Sequence, residues 1–461
     1  MFASLLFLTK TGGVKMSKRV KRFGRLMIMS VLALTLFLAG CTSSDKTSNG
    51  GSGGSGGSGG GKGSEGGKTE ITFWHGSTGL GLEAMNALVK SFEESHPDIK
   101  VKMVYTEANE GADQKLLTSV TGGNPPDVAT FDRFKVGSWA SQGALTDLSD
   151  MAAADGVSQD RYYQYAWDEA SYQGKLYAIP YSTDSRLLYY NKDHFKEAGL
   201  DPENPPKTIA ELEAAAEKLT IKEGNRFKRI GFIPWYSQGW LYSWGWSFGG
   251  EFYNESTQEV TANDPKIVEA LQWMVDFGNK YNVEDISGFE SSAGSDALDP
   301  FISGQLSMKV DGNWTISGIN KFKPDLNYGV TPIPTPTGTD FTTWSGGHAF
   351  IIPKGAKNTE AAWEFLKYFG GPEGAKAYYE KLDGSLSVQP AVNEELGRAN
   401  DPMLKEFIDI LPNSHHRPVI SEGQLLWNEL ASATENSTRG KGTPKENLDK
   451  ATEAVNKALK K

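Results

Sequence analysis

The sequence predicts an α/β body made of two units. Three observations carry this. Strand-like and helix-like stretches alternate from Glu70 onward, an extended passage from Pro180 to Asp184 interrupts them, and a second alternating unit follows. Apolar residues recur at strand or helix spacing within each stretch, which is the pattern of sheets covered by helices. The 461 residues suit two or three domain-sized units, and 23% charged with 38% hydrophobic residues fits a soluble globular body.

The fold does not begin at the first residue. Lys15, Lys18, Arg19, Lys21, Arg22 and Arg25 form a basic region ahead of the apolar run Leu26 to Ala39. That run falls short of the ~20 residues a membrane span needs. Leu38-Ala39-Gly40-Cys41 follows, which gives residues 1–40 the layout of a secretory signal peptide. Cys41 is the only cysteine in the chain. Its position resembles a bacterial lipobox, which implies a lipidated Cys41 at the start of the mature chain and an anchor on the outer face of the cell membrane. Met16 is an equally good translation start. Thr42 to Lys68 is mostly Gly and Ser, so residues 41–68 are expected to be an anchored tether. As a coil its ~27 residues reach roughly 30 Å.

Charge bounds the partners. Residues 1–40 carry seven Lys and Arg and no acids, so their removal takes the formal charge from −10 to −17. Such an acidic surface argues against nucleic acid, because phosphate binding needs a basic face. A single cysteine leaves no disulfide to form within the chain.

The body begins with Glu70 to Trp74, an apolar strand, and a loop at His75-Gly76. Leu82, Met85, Leu88 and Phe92 then stand at helical spacing. Ile99 to Tyr105 is a second strand, Ala112 to Thr121 a helix, and Asp127 to Phe131 a third strand. The alternation predicts a parallel sheet whose first and third strands open their loops on one edge. Lys175 to Pro180 and Arg186 to Asn191 are extended.

In the second unit Thr208-x-x-Glu211 is a capping box that opens an Ala/Leu-rich helix. Asp264-Pro265 opens another, with Ile267, Val268, Leu271, Met274 and Val275 on one face. Helices over Thr359 to Phe369, Ser421 to Ser437 and Pro444 to Lys460 close the chain, the last capped by Thr443-x-x-Glu446.

Phe301 to Trp314 carries the functional signal. Its strand, Ser307 to Val310, leads into a turn with Asp311, Asn313 and Trp314, where ligands sit in open α/β sheets. On chemistry alone, a structural turn over a buried Trp fits somewhat better. The pattern F-x-x-G-x-x-S-M-x-x-x-G-N-W, however, resembles the signature of bacterial extracellular solute-binding proteins of family one, the sugar-binding lipoproteins of ABC importers. The likeness runs over about residues 69–461.

This resemblance implies a two-lobed, type II periplasmic-binding-protein-like fold with a ligand cleft at a hinge. The first lobe is expected from residues 69–180 and 346–370, the second from 181–345 and 371–461, with a crossing near Thr343 to Gly346. Asp132-Arg133-Phe134 matches a sugar-contacting stretch in the family's maltose-binding members. Asp184 falls on a ligand carboxylate that is Glu there, and Trp314 and Trp427 fall on tryptophans that stack on sugar. Trp74 and Glu107 match more loosely, with His75 beside them. Trp235, Trp240, Trp244 and Trp246 crowd one segment in a way those members do not. Trp240 is the expected ligand wall, Trp235 and Trp244 are weaker candidates, and Trp246 is expected to pack internally. His348 and Asn313 are secondary possibilities.

These residue types suit a sugar, which has apolar C–H faces and a rim of hydroxyls. Asp132 beside Arg133 offers acceptors next to donors, although alone the two read as a structural ion pair. His415-His416 lacks the further ligands of a metal site. The expected partners are an oligosaccharide and the permease subunits of an ABC importer, for a monomer without cofactor, metal or catalysis. Two other readings stay open. A glycoside hydrolase would use a carboxylate pair drawn from Asp132, Asp184, Asp311 and Glu107. A polyamine receptor would use the same acids and aromatics.

Overall fold

The computed structural model describes residues 68–461, apart from 108–109, 225, 292–298 and the side chains of 110–112. Cys41 and the tether lie outside the described residues. The chain divides after Ser64, so every described residue belongs to the unit Glu65–Lys461.

The strands that frame the site are, in chain order, β1 (Thr69–His75), β2 (Ile99–Tyr105), β3 (Val128–Asp132), β4 (Ala178–Pro180), β5 (Ser182–Thr183) and β6 (Arg186–Asn191). They continue with β7 (Met308–Gly312), β8 (Tyr328–Thr331), β9 (Thr343–Trp344), β10 (His348–Ile351), β11 (Leu386–Ser387) and β12 (Ser414–His415).

The first lobe is built on a sheet in the order β2-β1-β3-β10-β4. β1 lies parallel to β2 and β3, as expected, but β10 is antiparallel to both β3 and β4. The sheet is therefore mixed. β3 ends at the cleft, whereas β10 enters from the other lobe at that same edge and must run the opposite way.

Helix Gly79–Ser95 covers this sheet with Ala84, Met85, Leu88, Val89 and Phe92. Leu82, expected on that stripe, is 36% exposed at the margin of the first turns. Phe92 meets Phe365 of helix Thr359–Phe369 edge-on at 5.1 Å, and Phe73 meets Phe350 at 5.5 Å. Edge-on aromatic contacts of this kind add roughly 0.5–1.5 kcal/mol beyond area burial.

The second lobe carries a three-stranded sheet, β7-β6-β8, antiparallel throughout. Both capping boxes form, at Thr208/Glu211 for helix Ile209–Leu219 and at Thr443/Glu446 for helix Pro444–Leu459. Asp264 caps helix Pro265–Tyr281, which buries Ile267, Leu271 and Met274. Val268 and Val275 lie half-buried at the edge of that face.

Two strand pairs mark the passages between lobes. β5 pairs antiparallel with β11, and β9 pairs parallel with β12. β5 and β9 fall within the stretches Pro180–Asp184 and Thr343–Gly346. Helix Pro372–Tyr379 packs on helix Gly79–Ser95. Gly347 has φ +129°, and a Cβ there would lie 2.1 Å from the Ser182 carbonyl oxygen. Only glycine fits where the two passages touch.

Candidate ligand cleft

Asp132 closes β3 at the edge facing the second lobe. Its Oδ1 accepts from the Phe134 N–H at 3.3 Å and from Arg417 Nη2 at 3.1 Å. Oδ2 has no protein donor among the described residues. The side chain is one-third exposed yet closely surrounded by protein, as on a cleft floor. Burial raises its pKa, but Arg417, His348 and Lys135 more than offset this and hold the carboxyl below its ordinary value. His348, opposite Asp132 in the β10–β3 register, is lowered by burial against the pull of Asp132 and Asp184.

Asp184 is arranged in the same way. Its Oδ1 accepts from Arg186 Nη1 and from the Gly346 N–H at 2.6 Å. Its Oδ2 likewise has no protein donor among the described residues. Each carboxylate therefore has one oxygen locked by a guanidinium and a backbone N–H, and the other left to accept.

The two guanidiniums sit among aromatic rings. Arg186 lies 3.6 Å from the Trp344 ring centre and 5.5 Å from that of Trp314. Arg417 lies 4.2 Å from Phe134, 5.1 Å from Trp344 and 5.8 Å from Trp427. Trp427 in turn meets Trp240 at 4.9 Å. Trp314 and Trp240 keep 40% and 39% of their surface exposed, so both offer apolar faces to a ligand. The Trp314 ring lies over Gly312, where a Cβ would come within 2.1 Å of it. Beside Trp427 a small apolar cavity of about 100 Å³ is lined by Trp235, Trp240, Tyr242 and Leu430.

Asp132, Asp184, Trp314, Trp427 and Trp240 are thus brought together, drawn from both lobes. Trp74, His75 and Glu107 share the carboxyl edge of the first sheet with Asp132. Trp74 is half-buried with Lys115 Nζ 4.8 Å from its ring, His75 is buried, and Glu107 is exposed.

Four expectations are corrected. Arg133 is fully buried and spends its guanidinium inside the protein, with Nε on Glu169 at 3.1 Å and Nη2 on the Gly346 carbonyl at 2.6 Å. Its Nη1 donates to the Ser182 carbonyl, so Arg133 braces both passages rather than gripping hydroxyls. Trp244 is a core residue, 0% exposed, with Nε1 on the Pro234 carbonyl at 2.8 Å. Asp311 lies within β7 rather than in the turn and neutralises buried Lys309 at 2.6 Å. Asn313 is buried and ties its turn to the Gly384 carbonyl at 2.7 Å. Arg133 and Asn313 are claimed by partners 36 and 71 residues away, whereas Asp311 is claimed by Lys309 two positions before it in the same strand.

Trp235 lines the small cavity and reaches Glu290 at 3.3 Å, while Trp246 packs flat on His415 at 4.9 Å. Sequence reasoning missed Arg186, Trp344, Arg417 and Glu169. The one available signal was Arg186, a charge opening the otherwise apolar and aromatic strand RLLYYN. Among the described residues no helix is long and apolar enough to cross a membrane.

Two α/β lobes, joined by paired crossing strands behind a polar and aromatic cleft, define a solute-binding protein of the two-lobed class. The chain belongs to the bacterial extracellular solute-binding protein family, whose description matches residues 76–376. It is similar to the maltooligosaccharide ABC transporter solute-binding lipoprotein of Streptococcus pneumoniae serotype 4, with 26% identity over 453 residues, 96% of this chain and 98% of that one. Among solved structures, CpMnBP1 with mannobiose bound has a TM-score of 0.75 at 28% identity, covering 84% of this chain and all of its own. The GacH receptor of Streptomyces glaucescens, solved unliganded and with acarbose, has a TM-score of 0.72 at 28% identity, covering 85% and 99%.

Proposed function

We propose that the cleft captures a neutral oligosaccharide by lobe closure and delivers it to the permease of an ABC importer, without chemistry on the ligand. The observation that carries this is the matched pair of half-locked carboxylates, Asp132 and Asp184, beside the exposed faces of Trp314 and Trp240. Free carboxylate oxygens accept from sugar hydroxyls, and indole faces stack on C–H surfaces. The relatives whose names specify mannobiose, maltooligosaccharides and acarbose support the same class of ligand.

Charge balance favours a neutral ligand over a polyamine. The acids Asp132, Asp184 and Glu169 are matched one for one by Arg417, Arg186 and Arg133. A polycation would need carboxylates in excess. A glycoside hydrolase would need a carboxyl kept protonated as general acid, and Asp132 is shifted the opposite way. Sugar touching both lobes favours the closed state, so binding and closure are linked. The protein acts as a monomer on a lipid anchor at Cys41, facing outward from the cell membrane.

Calorimetry with mannotriose, maltotriose, cyclic glucans and spermidine tests the reading, with product analysis of the same mixtures. Binding of an oligosaccharide that comes back intact is the expected result. Spermidine binding alone, or new reducing ends, would sink it.

A further inference from the structure

Glu169 is a fully buried carboxylate behind the cleft. It ends helix Gln164–Glu169 of the first lobe and is 0% exposed. Its Oε2 accepts from Arg133 Nε at 3.1 Å. Its Oε1 lies 3.6 Å from Arg417 Nε, and among the described residues these two buried atoms have no hydrogen-bond partner. A buried acid with one oxygen so placed is costly unless the facing charge is held there.

Both arginines lead away from Glu169 to functional places. Arg133 reaches the Ser182 and Gly346 carbonyls, one on each passage between lobes. Arg417, just after β12, reaches Asp132 on the cleft floor and lies over Phe134. Asp132 and Phe134 belong to the first lobe, while β12 pairs with β9 at the passage back from the second. One carboxylate thus joins the brace of the hinge to the guanidinium that locks the ligand-facing acid.

We infer that Glu169 is a positioning residue. Through Arg417 it fixes Asp132 Oδ1, leaving Oδ2 for the ligand, and it ties the segment after β12 to the first lobe. Its charge therefore sets both the acceptor geometry of the cleft and the resting separation of the lobes. The distance between Oε1 and Nε is the slack in this linkage, and it shortens when Arg417 moves toward Glu169.

The first arm of the test needs no ligand. In the full chain with Cys41→Ser, cysteines replace Lys90 on helix Gly79–Ser95 and Lys266 on helix Pro265–Tyr281, whose side chains are 78% and 54% exposed. Spin labels on them report the distance between lobes. Glu169→Gln is expected to shift the distribution to longer, broader distances, and Glu169→Asp to restore part of it. Distributions that superimpose on the parent would overturn the proposal. If Glu169→Gln does not fold, Arg417→Lys, which keeps the charge but loses Nε, carries the same expectation and the same risk.

The second arm rests on the sugar-capture reading. Mannotriose affinity is measured for Glu169→Gln, Asp132→Asn and the double variant. Each single change is expected to cost about tenfold to a hundredfold, the effect of one charge-assisted hydrogen bond, with the double variant well short of the product of the two. Strict additivity would mean that Glu169 only supports the fold. If the unaltered protein binds no sugar, the capture reading fails alone, and the label distances still decide for or against Glu169.

Discussion

The Arg186 guanidinium lies 3.6 Å from the ring centre of Trp344 and at the same time donates from Nη1 to Asp184. Trp344 is 2% exposed, so this contact is shielded from water. A desolvated cation–π contact contributes ~2 kcal/mol, and the planar fork lets Arg186 stack and donate at once. Asp184 is consequently held by a group that is itself held. Lysine keeps the charge but neither stacks nor forks. Arg186→Lys is expected to lower sugar affinity about tenfold and to change tryptophan fluorescence in the ligand-free protein. Affinity and spectrum both unchanged would show that the stack has no part in the cleft.

Asp132→Asn and Asp184→Asn keep the size of the side chain and remove its charge. Hydrogen bonds to charged groups contribute ~1.5–3 kcal/mol, so each change should weaken sugar binding by about tenfold to a hundredfold in calorimetry. Far-UV circular dichroism should stay the same. Losing one of the two without effect would place that carboxylate outside the ligand's reach.

The tryptophans separate into two kinds. Trp314 is 40% exposed, whereas Trp244 is 0% exposed. Trp314→Ala should cost binding and little stability. Trp244→Ala should cost roughly 3–5 kcal/mol of stability, the range for deleting a large buried ring. Thermal melts and titrations of the two variants, run side by side, are expected to show opposite patterns. The same pattern in both would undo the division.

Acid should loosen the fold through two histidines. Burial lowers the pKa of both His194 and His415 to about 4, from an ordinary 6.5. Between those values the unfolded chain binds protons that the folded chain refuses. Stability from this source is complete above about pH 6.5 and is lost as pH falls toward 4, at up to ~1.4 kcal/mol per pH unit for each histidine. Melting temperature should therefore fall from pH 7 to pH 5, and less steeply in His194→Gln with His415→Gln. An equal slope in the double variant would assign the acid sensitivity elsewhere.

Much of the fold was legible along the chain. Capping boxes at Thr208 and Thr443 and the strand at Arg186–Asn191 act over a few residues, so their spacing alone reveals them. The direction of β10 was not legible, because it depends on which lobe the chain returns from. Neither was the packing of helix Pro372–Tyr379 on Gly79–Ser95, a contact between segments nearly three hundred residues apart.

The site divides along the same line. Residue types and their order pointed to Asp132, Asp184, Trp314, Trp240 and Trp427. Which acid or tryptophan stays available is decided by competition among partners both near and far along the chain. Lys309 claims Asp311, Glu169 claims Arg133, Pro234 takes the Trp244 N–H, and Gly384 takes Asn313. Short-range order in the chain set the elements and the cast of polar and aromatic groups. Only the folded arrangement determined which of them were consumed in holding the lobes together and which kept a free oxygen or an open ring face. A side chain's availability depends on the partners that three-dimensional packing brings within about 3 Å, the reach of a hydrogen bond.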